Sequence, residues 1–272
     1  MLTRILVAVV LAPLFFVVLF FLDSIWLAAL VAAICAMASF ELLRATKVAH
    51  HNGMYFFTAL AAAAIPVGCW LGLGYLVVPM AAVFLMLTLF GIAIRLYDEE
   101  RAVRVEDVFM CMFGGLVIPM CLSALVQLKC MDHGQYLVLL PVICAFLTDA
   151  GAYFAGVFLG KHRGITKVSP NKSLEGYIGG IVTGILFSVI FGLVLQLAMG
   201  FTVSYLPLVI YGLVGGLVAE IGDLAFSLIK REYGIKDYGK LLPGHGGMMD
   251  RFDSMVFCAP TILLFSLCLP GF

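Results

Sequence analysis

Long apolar stretches place the strongest constraint on this sequence. Of its 272 residues, 64% are hydrophobic and only 12% are charged. A soluble domain usually carries about 25% charged residues, and it could not bury this much apolar surface. Since a spanning helix needs about 20 mainly apolar residues, the sequence predicts an all-α, polytopic integral membrane protein. The nine predicted spans cover residues 4–22, 24–41, 54–72, 75–95, 107–128, 135–159, 174–199, 203–229 and 254–270.

The basic residues indicate how these spans are oriented. Suppose that the N-terminus is cytoplasmic and that all nine segments cross the membrane. Every one of the 16 Lys and Arg residues except Lys129 then lies on the cytoplasmic side. Cytoplasmic loops of membrane proteins carry such an excess of Lys and Arg, so we predict a cytoplasmic N-terminus. The net charge of zero argues against a nucleic-acid partner, which would require a basic surface.

The two halves of the chain differ in their intramembrane charge. Residues 1–135 carry almost none, and we interpret them as a transmembrane scaffold. Residues 136–272 are predicted to form the catalytic region. They contain carboxylates in or beside apolar helices and two polar cytoplasmic loops, at 160–173 and 230–253.

Ionisable side chains inside the predicted spans are candidates for function. Each costs at least about 2.5–3.5 kcal/mol to insert, so it normally faces a partner, a cavity or a substrate. Asp149 lies well inside the sixth span. Glu220, Asp223, Ser227 and Lys230 follow one another at helical spacing on one face of the eighth. Two structural interpretations stay open: Asp223 and Lys230 could neutralise other charges of the bundle, and Glu220 could be a protonated hydrogen-bond donor.

The loop at 230–253 combines cations, glycines and carboxylates. Residues 243–247 read Pro-Gly-His-Gly-Gly, a turn whose backbone amides could form an anion-binding nest. Lys230, Arg231, Lys236 and Lys240 precede this turn. Asp250 and Asp253 follow it, three residues apart, at the start of the last predicted helix. Cations and amides suit phosphates, and carboxylates beside phosphates suit Mg²⁺.

The loop at 160–173 lies on the same predicted side of the membrane. Either Ser169, which precedes Pro170, or Ser173 could cap the helix that follows. The lysines and arginine early in this loop are interpreted as topology determinants that contact lipid headgroups. Lys172, close to Glu175 and to the helix start, is the better functional candidate.

The run from Ser227 to Asp253 resembles the signature of phosphatidate cytidylyltransferases, also called CDP-diacylglycerol synthases. Residues 148–156 and 169–176 are similar to two further blocks of that family. The signature positions are Ser227, Lys230, Arg231, Lys236, Asp237, Gly239, Leu242, Pro243, His245, Gly246, Gly247, Asp250, Arg251 and Asp253.

This resemblance implies an activity and its partners. The implied reaction joins CTP and phosphatidate to give CDP-diacylglycerol and pyrophosphate. It implies dependence on Mg²⁺, with a second cation left open, and it makes Asp223 and Asp250 the metal ligands. It also implies a homodimer in a bacterial inner membrane, with the active site facing the cytoplasm. The dimer contact is expected within residues 1–135.

We assign the predicted site residues to roles on this basis. Asp223, Asp250, Lys230 and Asp149 form the catalytic set, with Asp149 and Asp253 as alternative metal ligands. Lys230, Arg231, Lys236 and the amides of 244–247 are expected at the CTP phosphates. Lys172 and Arg251 are expected near phosphatidate. The residues predicted to bind substrate are Ser169, Lys172, Glu175, Ser227, Arg231, Lys236, Asp237, His245, Gly246, Gly247, Arg251 and Asp253.

Two other functions compete with this interpretation. A CDP-alcohol phosphotransferase would carry an Asp-Gly-x-x-Ala-Arg motif, which the sequence lacks. A transporter of an anionic solute could use intramembrane carboxylates for ion coupling, but such transporters often have matched halves with broken helices. Here the charged groups are confined to one half of the chain.

Overall fold

A computed structural model describes residues 13–48, 51–97, 102–239, 241 and 246–272, which build an all-helical protein. No β-strand forms among these residues, although an isolated antiparallel bridge joins Arg163 to Ser173. Eight of the described helices are long and apolar enough to cross a membrane. They are α1 (Ser24–Thr46), α2 (Asn52–Trp70), α3 (Gly74–Arg95), α4 (Val105–Lys129), α5 (Gly134–Phe158), α6 (Leu174–Met199), α7 (Tyr205–Glu232) and α8 (Met249–Cys268).

These helices confirm eight of the nine predicted spans and the all-α, polytopic fold. The largest differences lie at helix ends. Helix α1 continues past the predicted end at residue 41 to Thr46, and α8 starts at Met249 rather than at residue 254. The predicted span 4–22 begins outside the described residues, and residues 13–20 of it are helical.

Large apolar side chains on the outside of the helices fit a lipid environment. Leu87, Ile94, Leu197 and Leu206 are each more than two-thirds exposed. Water would penalise so many exposed aliphatic groups, whereas lipid chains solvate them. The backbone polar groups meanwhile pair within the helices, as a bilayer requires.

The chain divides into two compact units. The N-terminal unit comprises the described part of residues 1–132 together with 232–252, and the C-terminal unit comprises 133–231 and 253–272. In the N-terminal unit, α1 packs on α2, and α2 packs on α3 and α4. A buried cluster that includes Leu43, Met54, Ile65, Leu85 and Val108 joins these helices.

The C-terminal unit depends on small residues at its helix contacts. Helix α6 buries Gly176, Gly180, Gly184, Ser188 and Gly192, one at every fourth position. Residues four apart lie on one face of a helix, so this stripe lets α5 and α7 approach α6 closely. At Gly212 of α7 the neighbouring atoms are backbone atoms of α6, and an added Cβ would lie 2.5 Å from the Cα of Ile185.

Replacing Gly212 by alanine should therefore destabilise the C-terminal unit. The new methyl group would meet backbone atoms of α6, and such overpacking costs about 1–3 kcal/mol. We expect a lower midpoint of thermal unfolding for the purified protein in detergent. Gly91→Ala on α3 is the control, because a Cβ there meets no atom within 4 Å. Equal midpoints for Gly212→Ala and the wild type would contradict this account of the packing.

Candidate active site

A cavity of about 430 Å³ opens in the C-terminal unit. Its walls come from α5, from the loop between α5 and α6, and from α6 and α7. Three predicted site residues, Asp149, Lys172 and Asp223, line this cavity. The charged and aromatic residues in its lining are Asp149, Tyr153, Arg163, Lys172, Tyr177, Glu220 and Asp223.

Lys172 is the cation at the centre of this group. Its Nζ lies 2.9 Å from Oε2 of Glu220 and 2.6 Å from Oδ2 of Asp223. The same nitrogen lies 5.2 Å from the centre of the Tyr177 ring. Burial opposes the ammonium charge, but the carboxylates of Asp223 and Glu220 outweigh it and raise the pKa of Lys172 above its ordinary value. Lys172 is therefore protonated at neutral pH and holds two carboxylates together.

Helix α7 supplies the carboxylates because its charged residues recur on one face. Glu220, Ser227 and Lys230 are all buried, and Asp223 is half-buried among them. The Nζ of Lys230 lies 3.9 Å from Oδ2 of Asp253 on α8. The predicted stripe of two carboxylates, a hydroxyl and an ammonium is thus present on one helix. Its two ends bind different partners in the C-terminal unit.

Asp149 enters the cavity from α5, just after a turn of π-helix at Ile143–Leu147. Such turns insert a residue into a helix and are frequent at functional sites. The Asp149 Oδ2 accepts a hydrogen bond of 3.4 Å from the hydroxyl of Ser254. The backbone amide of Ser254 donates in turn to Oδ1 of Asp253, at 2.8 Å. The predicted residues Asp149 and Asp253 are therefore linked through Ser254.

The loop between α5 and α6 places Lys172. Ser173, rather than Ser169, caps α6, because its hydroxyl accepts from the amide of Gly176 at 3.1 Å. The carbonyl of Ser169 accepts from the amide of Lys172 and closes the preceding turn. Glu175 pairs with His162, whereas Lys172 pairs with Glu220 and Asp223. The Glu175 carboxylate accepts from the amides of Lys161 and His162, which fixes the start of the loop.

The described end of the glycine-containing segment, Gly246 and Gly247, belongs to the N-terminal unit. Asp250, in the first turn of α8, accepts through Oδ2 from the amides of Tyr238 and Gly247, at 2.9 and 3.0 Å. Gly246 adopts a φ of +87°, which favours glycine, and the Asp250 carboxylate lies against it. The Gly247 amide, predicted to face a CTP phosphate, thus donates to a carboxylate of the chain itself.

The other predicted site residues of the 230–253 loop are exposed or lie outside the described residues. Lys236, Asp237 and Arg251 are exposed. Arg231 donates from Nε to the carbonyl of Val168, at 3.3 Å. His245 lies outside the described residues, so its predicted role stays a prediction.

Two carboxylates at these sites were not among the site residues predicted from the sequence. Glu220 was recognised on the α7 face, but it was left open as a structural group. Glu41 of α1 was missed altogether, and it accepts from the amide of Met249 at 3.0 Å. The sequence did offer a signal, because Glu41 is a carboxylate at the end of an apolar run. We interpreted residues 1–135 as a scaffold and therefore did not consider it.

A family model described as "Cytidylyltransferase family" matches residues 2–269. The chain belongs to this family. The match covers the residues of both units, including all three blocks on which the resemblance rests.

Several bacterial relatives carry the name phosphatidate cytidylyltransferase. The chain is 31% identical to the one from Thermotoga maritima over 95% of this chain and 93% of the relative. It is 32% identical to the Bacillus subtilis protein over 58% of this chain and 57% of the relative. It is 35% identical to the Staphylococcus saprophyticus protein over 48% of this chain and 49% of the relative. The chain thus spans about half the length of the latter two relatives in these alignments.

In this member of the cytidylyltransferase family, we expect Lys172→Met to destabilise the C-terminal unit. Methionine keeps the apolar stem but leaves Glu220 and Asp223 close together without their shared cation. Because Lys172 is partly exposed, we expect a loss of about 1–3 kcal/mol, below the value for a fully buried pair. Thermal unfolding in detergent measures this loss.

The matched control is Lys167→Met, which changes an exposed lysine of the same loop. Adding Glu220→Gln to Lys172→Met should recover part of the lost stability, since it removes one of the two uncompensated carboxylates. An unfolding midpoint for Lys172→Met equal to that of Lys167→Met would exclude the proposed ion cluster.

Proposed function

We propose that this protein transfers the cytidylyl group of CTP to phosphatidate, which yields CDP-diacylglycerol and pyrophosphate. The observation that carries this proposal is the alignment with the Thermotoga phosphatidate cytidylyltransferase, which extends over 93% of that protein. The family match over residues 2–269 supports it independently. Membership of this family favours cytidylyl transfer over the two competing functions, transport of an anionic solute and CDP-alcohol phosphotransfer.

The reaction requires positioning more than proton transfer. A phosphate oxygen of phosphatidate attacks the α-phosphorus of CTP and forms the new P–O bond. The bond from that phosphorus to the oxygen bridging to the β-phosphate breaks, and pyrophosphate leaves with the electron pair. The attacking oxygen is already ionised at neutral pH, so no strong general base is needed. The protein must hold two polyanions in line and offset their charge.

The cavity of the C-terminal unit offers groups for this task. Arg163 and Lys172 are the cationic side chains of its lining. Lys172 is fixed by Glu220 and Asp223, so its charge is already in place before substrate binds. A preorganised cation of this kind costs little reorganisation during the reaction. We assign Lys172 to a substrate phosphate. Lys236 and Arg251, which are exposed in the N-terminal unit, are assigned to substrate phosphates by the family resemblance alone.

The carboxylates of the cavity fit a divalent cation. Asp149, Glu220 and Asp223 line one space, and Oε1 of Glu220 is buried without a hydrogen-bond partner in the described structure. The described residues form no group of three acidic, His or Cys side chains arranged as a metal cage. Mg²⁺ typically uses one or two carboxylates together with substrate phosphates, and it retains several waters.

We therefore assign Asp223 to Mg²⁺ binding, with Asp149 as an alternative ligand. Bound Mg²⁺ would neutralise charge that develops on the phosphates of CTP. The assignment of Asp250 rests on the family resemblance. Its Oδ2 already accepts two backbone hydrogen bonds in the turn, which fixes the orientation of its carboxyl group.

The basic residues support a proposed orientation in the membrane. Lys161, Arg163, Lys167 and Lys172 lie in one loop, and two of them, Arg163 and Lys172, line the cavity. The positive-inside rule predicts that such a loop is cytoplasmic. Cytoplasmic CTP would then have access to the cavity, while phosphatidate comes from the bilayer. We further propose a bacterial inner-membrane homodimer, as the family resemblance implies.

The proposal is tested by measuring pyrophosphate release from the purified protein in mixed micelles of detergent and phosphatidate. CTP, phosphatidate and Mg²⁺ are omitted one at a time. We expect release only when all three are present, together with formation of a CDP-lipid product. Release without phosphatidate would indicate hydrolysis of CTP, and no release from monodisperse protein in lipid would reject the proposed reaction.

Asp223→Asn should lower kcat by about 100-fold or more, a barrier increase of about 2.7 kcal/mol, because it removes a charged ligand at the reacting phosphates. Glu232→Gln is the control, since Glu232 is an exposed carboxylate at the end of the same helix. Monodispersity and unfolding of both variants are checked in parallel. Near-normal activity and unchanged Mg²⁺ dependence in Asp223→Asn would overturn its metal assignment.

A further inference from the structure

A carboxylate of the first described long helix holds the start of the last one. Oε2 of Glu41, in α1, accepts a hydrogen bond of 3.0 Å from the backbone amide of Met249, the first residue of α8. The two residues are 208 positions apart in the sequence, and both belong to the N-terminal unit. Glu41 is only 8% exposed, so this contact is shielded from water.

Two glycines of the signature make room for the Glu41 carboxylate. An added Cβ at Gly239 would overlap the carboxylate, and all three of its nearest neighbours would be side-chain atoms of Glu41. A Cβ at Gly247 would overlap Oε2 of Glu41 and lie 2.7 Å from the amide nitrogen of Gly239. Gly239 and Gly247 therefore both lie against this side chain, and the absence of a Cβ at each position leaves room for it.

The contact satisfies a general need of helix ends. The first amides of a helix have no partner within the helix, and the helix dipole favours a negative charge beside them. A side chain just before the helix usually fills this role. At α8, the Glu41 carboxylate, which comes from a distant helix, accepts the hydrogen bond of the first helical amide. Glu41 thus anchors the start of α8 to α1.

The anchored turn carries predicted site residues. Asp250 and Arg251 directly follow Met249, and Asp250 is also held by the amides of Tyr238 and Gly247. Movement of the helix start would move both side chains. We propose that Glu41 is a positioning residue for the cytidylyl transfer, and that it acts by fixing the start of α8 and, through it, Asp250 and Arg251. This inference rests on the proposed function.

The first measurement is hydrogen exchange of the backbone amides, which does not depend on activity. In Glu41→Ala, the amides of residues 246–252 should exchange about tenfold faster than in the wild type, as expected on loss of a charge-assisted hydrogen bond. Ser39→Ala is the control. Ser39 lies two residues before Glu41 on α1, and its hydroxyl donates a buried hydrogen bond to the carbonyl of Gly114. The substitution removes this bond and leaves the Glu41 contact in place. It should leave exchange in the turn unchanged.

Activity then tests the catalytic consequence. Glu41→Ala should lower kcat/KM by about tenfold or more, in line with loss of one charge-assisted hydrogen bond. Glu41→Gln keeps a carbonyl oxygen that can accept from the Met249 amide, so it should retain most of the activity. Gly239→Ala should resemble Glu41→Ala because the methyl group displaces the carboxylate. The double variant should be no worse than Glu41→Ala alone.

Each outcome decides a different claim. Unchanged exchange in Glu41→Ala, or full additivity with Gly239→Ala, would overturn the anchor. Faster exchange with wild-type kcat/KM would retain the anchor but exclude its role in catalysis. If the wild type itself releases no pyrophosphate, the proposed function fails with its catalytic consequence, and exchange alone still decides whether Glu41 holds the turn.

Discussion

Pairing of charge inside an apolar bundle is the constraint on which this structure depends. The bilayer offers no water to carboxylates, so each must find a cation, a donor or a cavity. In the C-terminal unit, the Lys172 ammonium joins Glu220 to Asp223. The loop that carries the lysine is held on both sides of it, by the turn that the Ser169 carbonyl closes and by the Ser173 cap of α6. The polar cavity and the fold that surrounds it are therefore stabilised by the same contacts.

Small residues make this pairing geometrically possible. A Cβ at Gly180 of α6 would lie 2.9 Å from Oε1 of Glu220 and 2.9 Å from the carbonyl of Thr148. The carboxylate thus occupies space that a side chain at Gly180 would take. In the N-terminal unit, Gly239 and Gly247 relate to Glu41 in the same way. In both units, glycine lets a buried carboxylate approach a neighbouring backbone.

The sequence predicted the fold far better than the contacts of the site. Eight spans were predicted correctly because membrane thickness fixes how long an apolar segment must be. The face of α7 followed from helical periodicity. Lys172 was placed beside Glu175 by its position in the sequence, but Glu175 binds backbone amides of the loop, and Lys172 binds residues 48 and more positions away. The Glu41 contact spans 208 residues, and no local pattern encodes such a distance.

Two backbone amides at the described end of the glycine-containing segment have partners within the chain. Glycine-rich turns can direct their amides towards a bound anion. Here the amides of Gly247 and Met249 donate to Asp250 and Glu41, which are fixed anions of the chain. A phosphate placed at these amides would meet two carboxylates at close range and lose the donors that it needs. We therefore expect cationic side chains of this segment, such as Lys236 and Arg251, to contribute to the predicted binding of CTP phosphates, and the role of the 244–247 amides stays a prediction. Gly239 and Gly247 leave the space that the Glu41 carboxylate occupies beside this backbone.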